Sequence, residues 1–181
     1  MPAPDPNRVY NVLFLCTGNS ARSILGEALV NKEGSGRFRG FSAGSRPRGQ
    51  VHPMALEVLA SHGFPTEGLR SKSWQEFATA DAPKMDFIFT VCDSAAGETC
   101  PVWPGNPVTA DWGIDDPAAI EGEEAQRAAF FKALVYLKNR FSLFTALPLE
   151  SIDKMTLRSK LGAIGAGEGA TPASAAAAAS Q

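Results

Sequence analysis

Val12-Leu-Phe-Leu15-Cys16-Thr-Gly-Asn-Ser-Ala-Arg22 is the stretch that decides the fold. Four apolar residues end in a cysteine, five small or polar residues follow, and after Arg22 the positions Ile24, Leu25, Ala28 and Leu29 keep helical spacing. The apolar run reads as a buried strand and the spaced positions as an amphipathic helix, so the loop joins a strand to a helix N-terminus. Backbone N–H groups of such a loop converge on one point, where the helix dipole also favours an anion. Arg22 adds a planar fork matched to two oxygens of a tetrahedral anion. Thr17, Gly18, Asn19, Ser20, Ala21, Arg22 and Ser23 are the expected oxyanion-binding residues. Cys16 stands at the floor of this cup, and the positive potential there is expected to pull its pKa below the free value of about 8.5. Ser23 is expected to hydrogen-bond the Cys16 sulfur. A nucleotide-binding loop would close on Gly-Lys-Ser/Thr, whereas this one closes on Ala21-Arg22-Ser23.

Outward from the loop, strands and helices alternate. Strands are expected at about 11–15, 37–43, 86–91 and 107–110. Helices are expected at about 22–33, from Pro53 to Gly63, and from about Glu123 to Leu147, where Phe130, Leu134, Leu137, Phe141 and Phe144 form one core-facing stripe. This alternation predicts βαβ units and a parallel sheet covered on both faces, with ligands bound beyond the carboxyl ends of the strands. Cys16 and Cys92 each follow a strand, so both thiols lie at one sheet edge and a disulfide between them is geometrically plausible. The segment from Cys92 to Pro107 reads as a long, functional loop. One domain over residues 11–160 is expected, after a flexible N-terminus (1–10) and before a Gly-, Ala- and Ser-rich tail (161–181) with too few apolar residues to order itself.

Seventeen basic against nineteen acidic residues give a net charge of −2, which is no electrostatic footprint for nucleic acid or an anionic membrane. Neither a signal peptide nor an apolar stretch of roughly 20 residues is visible, so a soluble cytoplasmic protein is expected. In a reducing compartment, Cys16, Cys92 and Cys100 read as catalytic or metal-binding rather than structural. His52 and His62 read as surface or helix-terminal residues, which leaves zinc without a fourth ligand.

A thiolate in an oxyanion cup can attack phosphorus or arsenic. If water resolves the adduct, the reaction is phosphate ester hydrolysis and needs one cysteine and a general acid. If a second thiol attacks the cysteine sulfur, two electrons pass to arsenic, arsenite leaves and a disulfide remains. Cys92 and Cys100 are the candidates for those resolving steps. The general acid is assigned to Asp116 of Asp115-Asp-Pro117, with Asp111 and Asp115 as competitors. A non-catalytic binder using three thiols as soft ligands is the alternative from a different class.

Taken together, the loop 12–23, Phe41-Ser-Ala-Gly44, Gly68-Leu-Arg-Ser-Lys-Ser-Trp74, Phe89-Thr-Val-Cys92-Asp-Ser-Ala-Ala-Gly97, Cys100-Pro-Val-Trp-Pro-Gly105 and Asp115-Asp-Pro117 resemble the bacterial arsenate reductases of the low-molecular-weight protein tyrosine phosphatase fold. The resemblance implies a three-layer α/β/α sandwich on a four-stranded parallel sheet. It implies that Cys16 forms the arsenate adduct, that Arg22 and the loop amides bind its oxygens, that Cys92 then attacks Cys16, and that Cys100 carries the disulfide outward. No bound cofactor is implied, but an external reductant is: thioredoxin, glutaredoxin with glutathione, or mycothiol. Phosphate and sulfate would compete with arsenate. By the same analogy, Asn19, Glu27 and Ser42 stand near a structural cation. The phosphatase branch places tyrosine after its Asp-Pro; here Ala118 follows, which favours the reductase.

Overall fold

The structure, a computed structural model, describes residues 5–98 and 101–179. Strands β1 (Tyr10–Leu15), β2 (Phe38–Ala43), β3 (Phe87–Thr90) and β4 (Val108–Asp111) form one parallel sheet in the order β2-β1-β3-β4. β1 lies inside the sheet, where both faces are covered, which is why it is a continuous apolar run. Val12 and Phe14 face a core shared with helices α1 (Arg22–Glu33), α2 (Pro53–Ser61), α4 (Glu123–Thr145) and α5 (Lys154–Gly165), whereas Leu13 and Leu15 face the other side. That second side is closed by a 3₁₀ turn, Trp74–Phe77, together with Met85 and Trp103. The three-layer α/β architecture expected from the sequence is therefore present, with a thin third layer.

Close contact between helix and sheet sets the position of the loop. A Cβ on Gly26 would stand 2.6 Å from the Phe14 ring, so only glycine lets α1 lie this near β1. The expected stripe on α4 is buried, and Phe144 meets Phe87, Phe89 and Trp112 edge-on. Phe89 and Trp112 stack with centroids 3.7 Å apart, and the indole Nε1–H donates to the Leu161 carbonyl at 3.0 Å. This buried donor is satisfied by α5, which ties that helix to the sheet.

Three expectations need revision. Tyr10 already belongs to β1, and Arg8 pairs with Asp86 at 3.0 Å, so of the expected flexible N-terminus only residues 1–4 lie outside the described residues. The segment after Cys92 is not all loop, because α3 (Asp93–Gly97) begins directly there. The C-terminal segment is helical and packed: α5 is followed by α6 (Pro172–Ala179). Hydrogen bonds and close backbone contact replace the missing apolar residues. The Arg140 guanidinium, 2% exposed, donates to the carbonyls of Tyr136, Gly165, Gly167 and Glu168 at 3.1–3.4 Å. Thr171 donates to Asp93 at 2.6 Å and Ser174 to the Asp111 carbonyl at 3.0 Å, while the alanines supply the highest helix propensity.

Arg140→Met leaves those buried carbonyls without their donor. The expected cost is on the order of 3 kcal/mol in urea unfolding. Amide exchange should show protection lost first across residues 154–179.

Candidate active site

Because the strands are parallel, β1 and β3 deliver Cys16 and Cys92 to the same edge, where Val91 N–H donates to the Leu15 carbonyl at 2.9 Å. The loop after Cys16 is turned by its carbonyls. Those of Thr17, Gly18 and Ser20 accept from Arg46, Arg48 and His52 N–H at 3.0, 2.9 and 2.9 Å. In a trans peptide the N–H opposes the C=O, so the amides of Gly18, Asn19 and Ala21 face inward. Asn19 takes a left-handed conformation (φ 44°) and is fully buried, with Oδ1 accepting from Lys72 N–H and Nδ2 donating to Ser23 Oγ, both at 2.9 Å. Ser23 is thus used to hold Asn19, and among the described residues the expected bond to the Cys16 sulfur is not formed. Behind the loop, any Cβ on Gly44 would collide with the Thr17 and Cys16 carbonyls.

Arg22 opens α1 and reaches to the segment Ile114–Asp116. One terminal nitrogen donates to the Ile114 carbonyl at 2.8 Å and the other lies 3.9 Å from Asp116 Oδ2, while Nε is buried with no hydrogen-bond partner among the described residues. A buried donor of this kind is costly unless an acceptor reaches it, and an oxyanion oxygen is such an acceptor. Asp116 caps the 3₁₀ turn Pro117–Ala119 through a 2.9 Å bond from Ala118 N–H, which fixes the carboxyl opposite Arg22. Of its competitors, Asp115 is exposed, and Asp111 accepts from Gly113 N–H (3.0 Å) and Thr90 Oγ1 (3.4 Å) at the end of β4. Burial raises the Asp111 pKa.

The two thiols form one unit. Cys92 caps α3, and its Sγ accepts from Thr17 N–H at 3.4 Å and Ala95 N–H at 3.3 Å, with Thr17 Oγ1 at 3.7 Å. The hydrogen bond from Cys16, those amides and the Arg22 charge hold Cys92 down to about 5 against its burial. Cys16 is pushed up by its hydrogen bond to Cys92 and by burial, which together outweigh Arg22. The expected direction for Cys16 is therefore reversed: its pKa is raised and that of Cys92 lowered, because the amide donors point at the Cys92 sulfur. Cys100 lies outside the described residues.

The residues expected around a structural cation are served by a side chain. Lys72 Nζ lies 3.4 Å from both Glu27 Oε1 and Ser42 Oγ and donates to the Arg70 carbonyl at 2.8 Å, and Ser42 donates to Glu27 at 2.6 Å. Asn19, Glu27 and Ser42 thus do not fit an added cation, since the ammonium supplies the charge. Burial lowers the Lys72 pKa while Glu27 opposes that shift. Lys72→Met should cost about 3–5 kcal/mol in chemical denaturation by stranding the buried Glu27 carboxylate. Adding Glu27→Leu should recover much of that loss.

Lys72 and Glu98 were not singled out from the sequence. Neither sits in a periodic element, and each is recognisable only once the chain returns to the Cys16 loop. Glu98 accepts from Thr17 Oγ1 at 2.9 Å.

With this geometry in hand, the similarity to known proteins has a structural basis. A family model for low molecular weight phosphotyrosine protein phosphatases matches residues 11–155. The arsenate reductase of Bacillus licheniformis is 33% identical over 122 residues, which is 67% of this chain and 84% of that protein. A solved arsenate reductase in the phosphate binding state is 25% identical, with a TM-score of 0.59, over 74% of this chain and 98% of that one. A thioredoxin-dependent arsenate reductase of Corynebacterium glutamicum shares the fold at 24% identity and a TM-score of 0.54, over 76% of this chain and 63% of that one. The chain belongs to the low molecular weight phosphotyrosine protein phosphatase family.

Proposed function

We propose that this protein reduces arsenate to arsenite, passing the oxidation outward through Cys16, Cys92 and Cys100. The observation that carries this reading is the second buried thiol in the nucleophile's own cup: Thr17 N–H, the first amide after Cys16, donates to Cys92 at 3.4 Å. Hydrolysis has no use for that sulfur, whereas reduction requires it. The similarity to arsenate reductases over most of their length supports the same choice.

Arsenate enters the cup on the inward amides and Arg22. Cys16 passes its proton to the Cys92 thiolate as its sulfur attacks arsenic. The S–As bond forms, and an arsenate oxygen leaves as water with a proton from Asp116. Cys92, as a thiolate once more, then attacks the Cys16 sulfur. The S–S bond forms, the S–As bond breaks with its electron pair left on arsenic, and As(V) departs as As(III) arsenite. Cys100 attacks Cys92 in turn, freeing Cys16, and an external dithiol reduces the outer disulfide. A thioredoxin-type protein is the first reductant to test, because the Corynebacterium relative depends on one; glutaredoxin with glutathione and mycothiol follow. Phosphate and sulfate are expected as competing anions. Thiols that must return to the reduced state suit the cytoplasm, and no helix of the described residues is long and apolar enough to cross a membrane.

A single-turnover experiment tests the chemistry. Reduced enzyme mixed with excess arsenate should release one arsenite per chain and lose two titratable thiols. Hydrolysis of aryl phosphate without reductant, with neither arsenite nor thiol loss, would assign the site to a phosphatase instead.

A further inference from the structure

The proposed relay leaves one proton unaccounted for. When Cys16 attacks, its proton moves to Cys92 and its hydrogen bond to that sulfur, the largest influence holding Cys92 down, is lost, so Cys92 must give up a proton it now holds more tightly before it can attack Cys16. The inference below rests on the proposed reduction and concerns only this second deprotonation.

Thr17 stands between Cys92 and a carboxylate. Its hydroxyl has a single proton and donates it to Glu98 Oε1 at 2.9 Å, so toward Cys92 Sγ, 3.7 Å away, the oxygen is left as an acceptor. Glu98 follows directly after α3 and reaches back to the loop of β1, so one hydrogen bond joins the two cysteine-bearing segments. Beside Glu98 opens a cavity of about 330 Å³, lined by Leu15, Ile88, Ala95, Trp103 and Asp111, through which a proton can reach solvent. The other charged groups nearby are engaged elsewhere. Arg22 faces Cys92 from α1 and binds the Ile114 carbonyl, Asp93 on α3 accepts from Thr171, and Asp111 on β4 accepts from Gly113 and Thr90. Among the described residues, Glu98 is the carboxylate joined to Cys92 through one hydroxyl.

We infer that Glu98, acting through Thr17, is the proton acceptor that returns Cys92 to a thiolate before it attacks Cys16. The Cys92 S–H bond breaks and its proton goes to Thr17 Oγ1. The Thr17 hydroxyl proton passes to Glu98 Oε1, and the electron pair left on Cys92 forms the S–S bond. No electron leaves or enters the Cys92–Thr17–Glu98 path.

Glu98→Gln tests this, because glutamine keeps an acceptor oxygen for the Thr17 hydroxyl and loses only basicity. Disulfide formation is followed by acid quench and mass spectrometry in Cys100→Ser protein after arsenate is added, from pH 5.5 to 9.5. With Glu98 present, the rate should change little across the neutral range. With Glu98→Gln it should fall about 100-fold at pH 7, within the usual contribution of a positioned base. It should climb roughly tenfold per pH unit and approach the parent rate at the alkaline end. Thr17→Val should give the same pH dependence. A Glu98→Gln profile that coincides with the parent, or that is lower by one factor at every pH, overturns the assignment. Parent protein that forms no disulfide with arsenate at any pH overturns the proposed reduction, and this step with it.

Discussion

Cys92→Ser is expected to abolish repeated arsenate reduction with every disulfide reductant. The drop in arsenite formation should be on the order of 10³-fold or more, as when a nucleophile of a coupled unit is removed. The oxyanion cup remains, so arsenate still enters and Cys16 can still attack, but the adduct has no thiol to displace it. A second result follows from the geometry. In the parent protein, Cys16 is held up by its hydrogen bond to Cys92, and the amides that point at Cys92 hold the charge there. Once that thiol is gone, Arg22 acts on Cys16 unopposed by its neighbour, so the Cys16 pKa should fall. Its alkylation rate measured against pH shows this directly: the inflection should move to lower pH in Cys92→Ser.

The second large effect is expected from Arg22→Lys. Lysine keeps the charge but lacks the fork, and it loses the 2.8 Å bond to Ile114 that holds the loop carrying Asp116. In the proposed reaction Arg22 therefore supplies oxyanion binding and alignment of the acid together. Losing a donor of this kind costs about 10²–10³ in rate, and the misplaced acid adds to that, so kcat/KM for arsenate should fall by about 10³ or more. Calorimetry with phosphate should show weaker binding by a smaller factor, because the ground-state anion keeps the inward loop amides.

The sheet and the cup were legible in the sequence because each has a local signature. The β1 run, the helical spacing after Arg22 and the α4 stripe are periodic patterns read one element at a time, and all appear as expected. The turn that places Asp116 opposite Arg22 was legible because Pro117 fixes it. What escaped depends on contacts between segments distant in sequence. Cys92 reads as the second thiol, yet only the approach of Thr17 and Ala95 N–H shows that its pKa, and not that of Cys16, is the one held down. Lys72 reads as a polar residue in a loop until it is seen beside Glu27 and Ser42. The C-terminal segment has the composition of a tail, and Arg140, more than twenty residues upstream on α4, is what holds it. Composition weighs apolar burial and has no means of showing that four carbonyls will share one guanidinium.

In the proposed reaction the two thiols of the cup carry electrons to arsenic. Its most direct test is NADPH oxidation by the full chain with thioredoxin and thioredoxin reductase, with parallel reactions on glutaredoxin with glutathione and on mycothiol. Oxidation is expected to start only when arsenate is added, to yield one arsenite per NADPH, and to disappear in Cys16→Ser and Cys92→Ser. Absence of arsenate-dependent oxidation with all three donors, alongside rapid aryl phosphate hydrolysis that needs no reductant and survives Cys92→Ser, would contradict it.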